Sequence, residues 1–145
     1  MSTDNKAVVR RSIEEAVNTG NLAVIDEITA PGYVYHEPTA GDVKGADGLR
    51  RMIAMYRTAF PDLQMTIEDQ VAEGDVVVTR WTARGTHKGE LMGVAPSGKQ
   101  VVVAGIVIAR FANGKIVEEW ENYDALGMMR QIGAIPAAGK AAGIG

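Results

Sequence analysis

The sequence predicts an α+β domain in which helices cover one face of a curved antiparallel sheet, and two observations carry that prediction. Apolar residues recur at helical spacing through roughly the first 60 positions. Beyond them come long alternating segments punctuated by hairpin signals. Helices grouped first and antiparallel strands afterwards define this class, rather than an alternating parallel fold.

The elements follow in order. Val9, Ile13, Ala16 and Val17 mark an opening amphipathic helix, with Asp4 or Thr3 available as its cap and Gly20 placed to end it. Asn21 can cap a short second helix carrying Leu22, Ile25 and Ile28 on one face, stopped at Pro31-Gly32. Residues 33–37 read as extended and 39–44 as a loop. Leu49, Met52, Ile53, Tyr56 and Phe60 mark a third helix, closed by Pro61, which restricts the residue before it to extended geometry. Strands at 63–71 and 76–85 are joined at Gly74-Asp75, and strands at 100–111 and 115–123 at Asn113-Gly114, a pair suited to the positive backbone angles of a tight turn. One domain is expected over 1–135. Residues 136–145, rich in Ala and Gly with few large apolar groups, read as a flexible tail.

Composition narrows the partners. A chain of 145 residues with 46% hydrophobic and 23% charged residues suits one globular core. The formal net charge of -3 leaves no basic surplus to neutralise a polyphosphate, so nucleic acid is not an expected partner. Cysteine is absent, which excludes disulfides, thiolate nucleophiles and cysteine-ligated zinc. His36 and His87 stand alone, without the paired spacing of a metal site, so no metal is expected. The apolar run 101–109 is about half of what a membrane helix needs and is broken by Gly105. With a polar start and no secretory apolar run, a cytoplasmic location is the expectation.

Strand parity assigns faces, because successive side chains point to opposite sides. On the last strand Glu118, Trp120, Asn122 and Asp124 share one face, and Val117, Glu119, Glu121 and Tyr123 the other. The second set carries two carboxylates and suits water, which turns Trp120 and Asp124 inward. The same counting puts Val77, Thr79, Trp81, Ala83 and His87 on one face, opposite Arg80, Thr82 and Arg84. Trp81 and Trp120 read either as core filling or as walls of a pocket. Phe60, Tyr35, Met128 and the other methionines carry the same two readings. Asp124 precedes Ala125-Leu126-Gly127 and is either a helix cap or, if buried against aromatic surface, a carboxyl whose pKa rises toward the working range of a general acid or base. His36, beside Glu37-Pro38, is either held by backbone hydrogen bonds or functional, and His87 is a turn residue or an inward one. One face of 101–108, either Val102, Ala104, Ile106 and Ile108 or their alternates, would lie in water in a monomer, which points to a homodimer through the sheet.

Several local patterns coincide in order: Asn18-Thr19-Gly20-Asn21, Tyr33-Val34-Tyr35-His36-Glu37-Pro38, Ala59-Phe60-Pro61-Asp62-Leu63, Glu73-Gly74-Asp75, Gly85-Thr86-His87-Lys88-Gly89-Glu90, Pro96-Ser97-Gly98-Lys99, Asn113-Gly114-Lys115-Ile116 and Trp120-Glu121-Asn122-Tyr123-Asp124. Together they make the chain resemble the SnoaL-like polyketide cyclases of the nuclear-transport-factor-2-like superfamily, over nearly all of residues 5–134. The resemblance implies a cone-shaped fold enclosing a deep pocket. It also implies aldol-type ring closure or isomerisation of an apolar carbonyl compound, without metal or organic cofactor. The Trp-x-x-x-Asp pattern carries the general acid and base onto Asp124, and His36 and His87 match recurrent histidines associated with the pocket. Beside the resemblance, the residues themselves offer Asn122 or a histidine to hold developing enolate charge, and Trp81, Trp120, Phe60, Tyr35 and Met128 as substrate contacts. The family also generally shows a second polar group near the aspartate from a neighbouring strand, and Val101 to Ile108 supplies none. The rival reading is a non-catalytic domain of the same fold that binds a small ligand or dimerises.

Overall fold

The computed structural model describes residues 2–39 and 41–135 of the chain, and the expected tail at 136–145 and a cap from the Thr3 side chain lie outside the described residues. Helix α1, Ser2–Arg11, carries Asp4 in its first turn and continues into a π-helical stretch, Ser12–Val17. Helix α2 is Val24–Ile28, α3 is Gly45–Ala59 and α4 is Ala125–Gln131. The strands are β1, Thr29–Glu37; β2, Gly41–Lys44; β3, Gln64–Glu73; β4, Val76–Thr86; β5, Gln100–Ala112; and β6, Lys115–Tyr123.

The six strands form one curved sheet in the order β2-β1-β6-β5-β4-β3. Neighbours are antiparallel except β1 and β6, which run parallel with Tyr35 opposite Glu119 and His36 opposite Trp120. The sheet is therefore mixed, not antiparallel throughout. The fold class stands as α+β, with the early helices against one face of the sheet.

Local chemistry explains most boundaries. At Asn113-Gly114 both residues take positive φ, 53° and 77°, as the tight hairpin requires. Two elements differ from expectation. Pro31-Gly32 does not lie beyond a helix but within β1, whose pairing with β6 shifts register between Thr29 and Val34. Residues 41–44, short and mostly polar, form strand β2 by pairing with the edge of β1 rather than by any apolar pattern of their own.

Phases on β4 and β5 are clear. Val77, Thr79 and Trp81 are buried, and Arg80 and Arg84 are exposed. On β5, Val101, Val103, Val107 and Ala109 point in, and Val102, Ala104, Ile106 and Ile108 point out. On β6 the expected phase is reversed. Glu119 and Glu121 are buried, and Trp120, Asn122 and Asp124 are exposed. The cause is a bulge: Phe111 pairs with Ile116 but Arg110 with Glu118, so Val117 is an extra residue on β6. Ile116 stays in the core, and every residue after the bulge changes sides.

Apolar packing falls into two clusters. One joins α1, α2 and α3 to β1 and the hairpin end of the sheet, through residues such as Val9, Ile25, Tyr33, Ile53 and Phe111. The other centres on Phe60, Trp81, Leu91, Val103, Met128 and Ile132. A cavity of about 160 Å³ opens between them.

Candidate functional site

Helices and sheet contribute opposite walls of this cavity. Ile13 and Val17 from the π-helical stretch, and Met52, Ile53 and Tyr56 from α3, face Trp81, Val103 and Val107 from the sheet. Phe60 and Met128 add to the apolar lining. The polar groups gather on β1 and β6: Tyr35, Glu37, Glu119, Glu121 and Tyr123 all reach the cavity. Few convergent polar groups in an otherwise apolar concavity are the usual makeup of a small-molecule site.

Glu121 is held through both of its oxygens. Its two oxygens accept separate hydrogen bonds, one from the Tyr35 hydroxyl at 3.0 Å and one from the Trp81 indole N–H at 3.0 Å. Burial pushes its carboxyl up to about 8; the two hydrogen bonds pull the other way, and the charges of Glu119 and Glu37 push further up. Glu119, one pleat away, accepts from the Tyr33 hydroxyl at 2.5 Å and is raised by burial to about 7. Buried carboxylates normally pair with cations, and among the described residues neither Glu119 nor Glu121 does. Phenols and an indole supply the donors instead. Tyr33 and Tyr35 are themselves pushed well above the usual phenol range, first by burial and then by these carboxylates.

The sheet explains this convergence. Glu119, Glu121 and Tyr123 alternate along β6, and Tyr33, Tyr35 and Glu37 alternate along β1. Parallel pairing of the two strands brings both alternating sets onto the concave face. Trp81 holds its place over β5 because position 105 is glycine: a Cβ there would lie 2.4 Å from the Trp81 ring.

The sequence-derived candidates divide between this cavity and the outer surface. Trp81, Phe60, Tyr35 and Met128 line the cavity. Trp120 does not; the bulge turns it to the outer face, where it stacks on His36 at 5.6 Å between ring centroids. His36 is likewise outside, bridging Asp42 and Glu118 at 2.7 Å each, and these two carboxylates raise its pKa. Asn122 is exposed. His87 is fully buried but lies outside the lining, with Nδ1 accepting from the Ser97 backbone N–H at 3.1 Å and its ring against Phe60. It ties the 87–99 segment to the wall.

Asp124 is exposed and caps α4, accepting from the Gly127 N–H at 2.8 Å. The inward position expected for it, which rested on turning Glu119 and Glu121 to water, is corrected by the burial of those two carboxylates. Its contribution is to start the helix that carries Met128 into the cavity and places Gln131 against β5. The Gln131 amide accepts from Val102 N–H and donates to Val102 C=O, both at 2.8 Å, so α4 covers the edge that β6 leaves open. Glu37, Glu119 and Glu121 are the groups that sequence reasoning missed. Their signal was the pair of matched alternations, Tyr-x-Tyr-x-Glu and Glu-x-Glu-x-Tyr. β5 brings no polar side chain to the cavity, and β1 brings Tyr35 and Glu37.

A curved sheet and helices around such a cavity define the nuclear-transport-factor-2-like class of α+β proteins. An NTF2-like protein of Burkholderia pseudomallei K96243 shares the fold at a TM-score of 0.76 and 23% identity, over 92% of this chain and 99% of its own. Within that class the chain belongs to the SnoaL-like polyketide cyclase family, which residues 7–132 match. Its relatives include the aklanonic acid methyl ester cyclases DauD of Streptomyces sp. (strain C5) and AcmA of Streptomyces galilaeus. They are 28% and 29% identical, over 87% and 88% of this chain and 80% and 89% of theirs. TsrD of Streptomyces laurentii superposes with a TM-score of 0.82 at 29% identity, covering 92% of this chain and 97% of its own. Among the described residues no helix is long and apolar enough to cross a membrane.

Proposed function

We propose that the protein is a cyclase or isomerase acting on a small apolar carbonyl compound, and that Glu121 abstracts a proton from the carbon beside the carbonyl. The observation that carries this reading is a buried carboxyl, fixed by Tyr35 and Trp81 in an apolar cavity and raised to about 8. A base works best when its pKa lies near the operating pH, and burial has moved this one there. In a low-dielectric cavity the carboxylate is also poorly solvated, which favours taking up a proton. The same acid can return the proton to another carbon, which is the requirement shared by isomerisation and aldol ring closure. No metal or organic cofactor enters the scheme. Asp124, exposed and engaged as a cap, takes no part in it.

The test uses 2-tetralone, a bicyclic ketone with acidic hydrogens beside its carbonyl, and follows their replacement by deuterium in D2O by NMR. Wild-type protein accelerates the exchange over buffer, and folded Glu121→Gln does not. Equal exchange by both would overturn the assignment.

The partner we propose for the outer sheet face is a second copy of the chain. Val102, Ile106, Ile108 and Trp120 are exposed there side by side on β5 and β6. A contiguous apolar surface of this kind favours burial against another surface, and a two-fold axis lets one patch meet itself.

A further inference from the structure

The cavity around Glu121 has walls that differ in whether they can yield. Trp81 and Phe60 are each seated directly on a glycine of the sheet. A Cβ at Gly105 would lie 2.4 Å from the Trp81 ring, and a Cβ at Gly85 would lie 2.9 Å from Cβ of Phe60. Both aromatic side chains therefore rest on strand backbone and cannot back away. Phe60 is also backed by the fully buried His87, at 5.7 Å between ring centroids. Across the cavity stand Ile13, Val17 and Ile53 from the helical side. Side chains branched at Cβ are stiff at the first torsion, so this wall is fixed as well. The yielding part is Met52, Met65 and Met128, whose unbranched thioether chains adapt to irregular gaps.

The space left between these walls is about 160 Å³. An apolar cavity of about 150 Å³ takes one benzene ring, whereas sites for drug-sized ligands run to roughly 300–1,000 Å³. One ring thus fills the space, and a second enters by displacing methionine side chains. Further rings would have to push Trp81 or Phe60 into strand backbone, or drive the stiff helical wall into the core, and overpacking of that kind is unfavourable. Glu121 and Trp81 are both buried and joined by a hydrogen bond of 3.0 Å. The carbon that loses its proton must therefore come to rest against the fixed wall, and bulk attached beside it comes in with it.

We infer that the site takes compounds of one or two rings that carry an enolisable carbonyl, and that it shuts out tetracyclic skeletons. This rests on the reading of Glu121 as base and adds the size of the substrate.

The experiment compares phenylacetone and 2-tetralone, of one and two rings, with the tetracyclic ketone dihydrotestosterone. Deuterium exchange beside the carbonyl is measured for each relative to its own exchange in buffer. A single methylene is worth roughly 10–200-fold in an apolar pocket, so wild type should favour both small ketones over the steroid by at least about 100-fold in kcat/KM. Binding is read separately from the Trp81 indole N–H resonance, assigned in Trp120→Phe, where Trp81 is the remaining tryptophan. That resonance should move with the two small ketones and stay in place with the steroid. Met128→Ala, or Met52→Ala should the first fail to fold, should raise the steroid-to-2-tetralone ratio of kcat/KM at least about tenfold. Steroid exchange as fast as that of 2-tetralone, and abolished in Glu121→Gln, would overturn the size limit and leave Glu121 as base. Size-selective binding with no exchange by wild type, or with exchange that Glu121→Gln leaves undiminished, would keep the size limit and remove the base. An indole resonance that all three ketones move alike would overturn the size limit whatever the exchange.

Discussion

Replacing Glu121 by glutamine should flatten the dependence of stability on pH, because this carboxyl binds its proton far more tightly in the folded chain than in the unfolded one. Its pKa rises from 4.5 to about 8 on folding, chiefly through burial. Between those values the folded state holds more protons than the unfolded state, so stability must fall as pH rises. The contribution is fully present below the unfolded value and is lost as pH climbs through about 8. At about 1.4 kcal/mol per pH unit, one such group removes roughly 3 kcal/mol between pH 5.5 and 7.5. Glu119, raised from 4.5 to about 7, adds a loss in the same direction that ends earlier. Urea unfolding across this range should show wild type losing stability steeply. Glu121→Gln should keep only the part due to Glu119, a slope shallower by about one proton. Carboxyl ¹³C NMR would assign the titration directly. Parallel stability curves for the two proteins, with Glu121 titrating near 4.5, would refute the account of the cavity as a place that disfavours charge.

Three further outcomes follow from the geometry. Gly105→Ala should destabilise the fold by about 1–3 kcal/mol and displace Trp81 from Glu121, since the new methyl would meet the indole ring at 2.4 Å; melting temperature and tryptophan fluorescence report both. Asp124→Ala should lose about 1 kcal/mol through the missing cap, whereas Asp124→Asn, which caps as well, should melt like wild type and still exchange 2-tetralone; a folded but inactive Asp124→Asn would return the catalytic role to that residue. Ile106→Asp should convert a dimer to a species near 15.4 kDa by light scattering, and the wild type measuring as a monomer would remove the case for a sheet-to-sheet partner.

Most of the scaffold was legible because its signals are local. Helical spacing from Leu49 to Phe60, the Asn113-Gly114 turn and the alternation from Val77 to Ala83 each depend on neighbouring residues alone, and each gave the right element and face. Trp81, Phe60, Tyr35 and Met128 were reached that way. Strand β2 was not, since it exists only through its pairing with β1. The carboxylates were lost to a reasonable inference, that acidic residues on a strand face water. It fails where phenols and an indole from other elements satisfy them, which no stretch of β6 can announce. Asp124 had two readings, and the structure shows the cap that local preference favours; it was turned inward by the same inference about Glu119 and Glu121, since the parity from Glu118 to Asp124 was counted correctly.

That bulge bears on how such a pocket could diversify. Val117 has no partner of its own on β5, and the place of that unpaired residue decides which half of β6 faces the cavity. Deleting Val117 would leave the lining as it is, because regular alternation from Ile116 through Glu118 would still turn Glu119 and Glu121 inward. Relocating the unpaired position beyond Asn122 would act differently. With Val117 opposite Arg110, the ladder would slip by one residue and set Trp120 and Asn122 on the cavity wall in place of Glu119 and Glu121. A lineage thus has a route from an acidic lining to an aromatic and amide one through where the extra residue is accommodated, and the loss of that residue alone is silent.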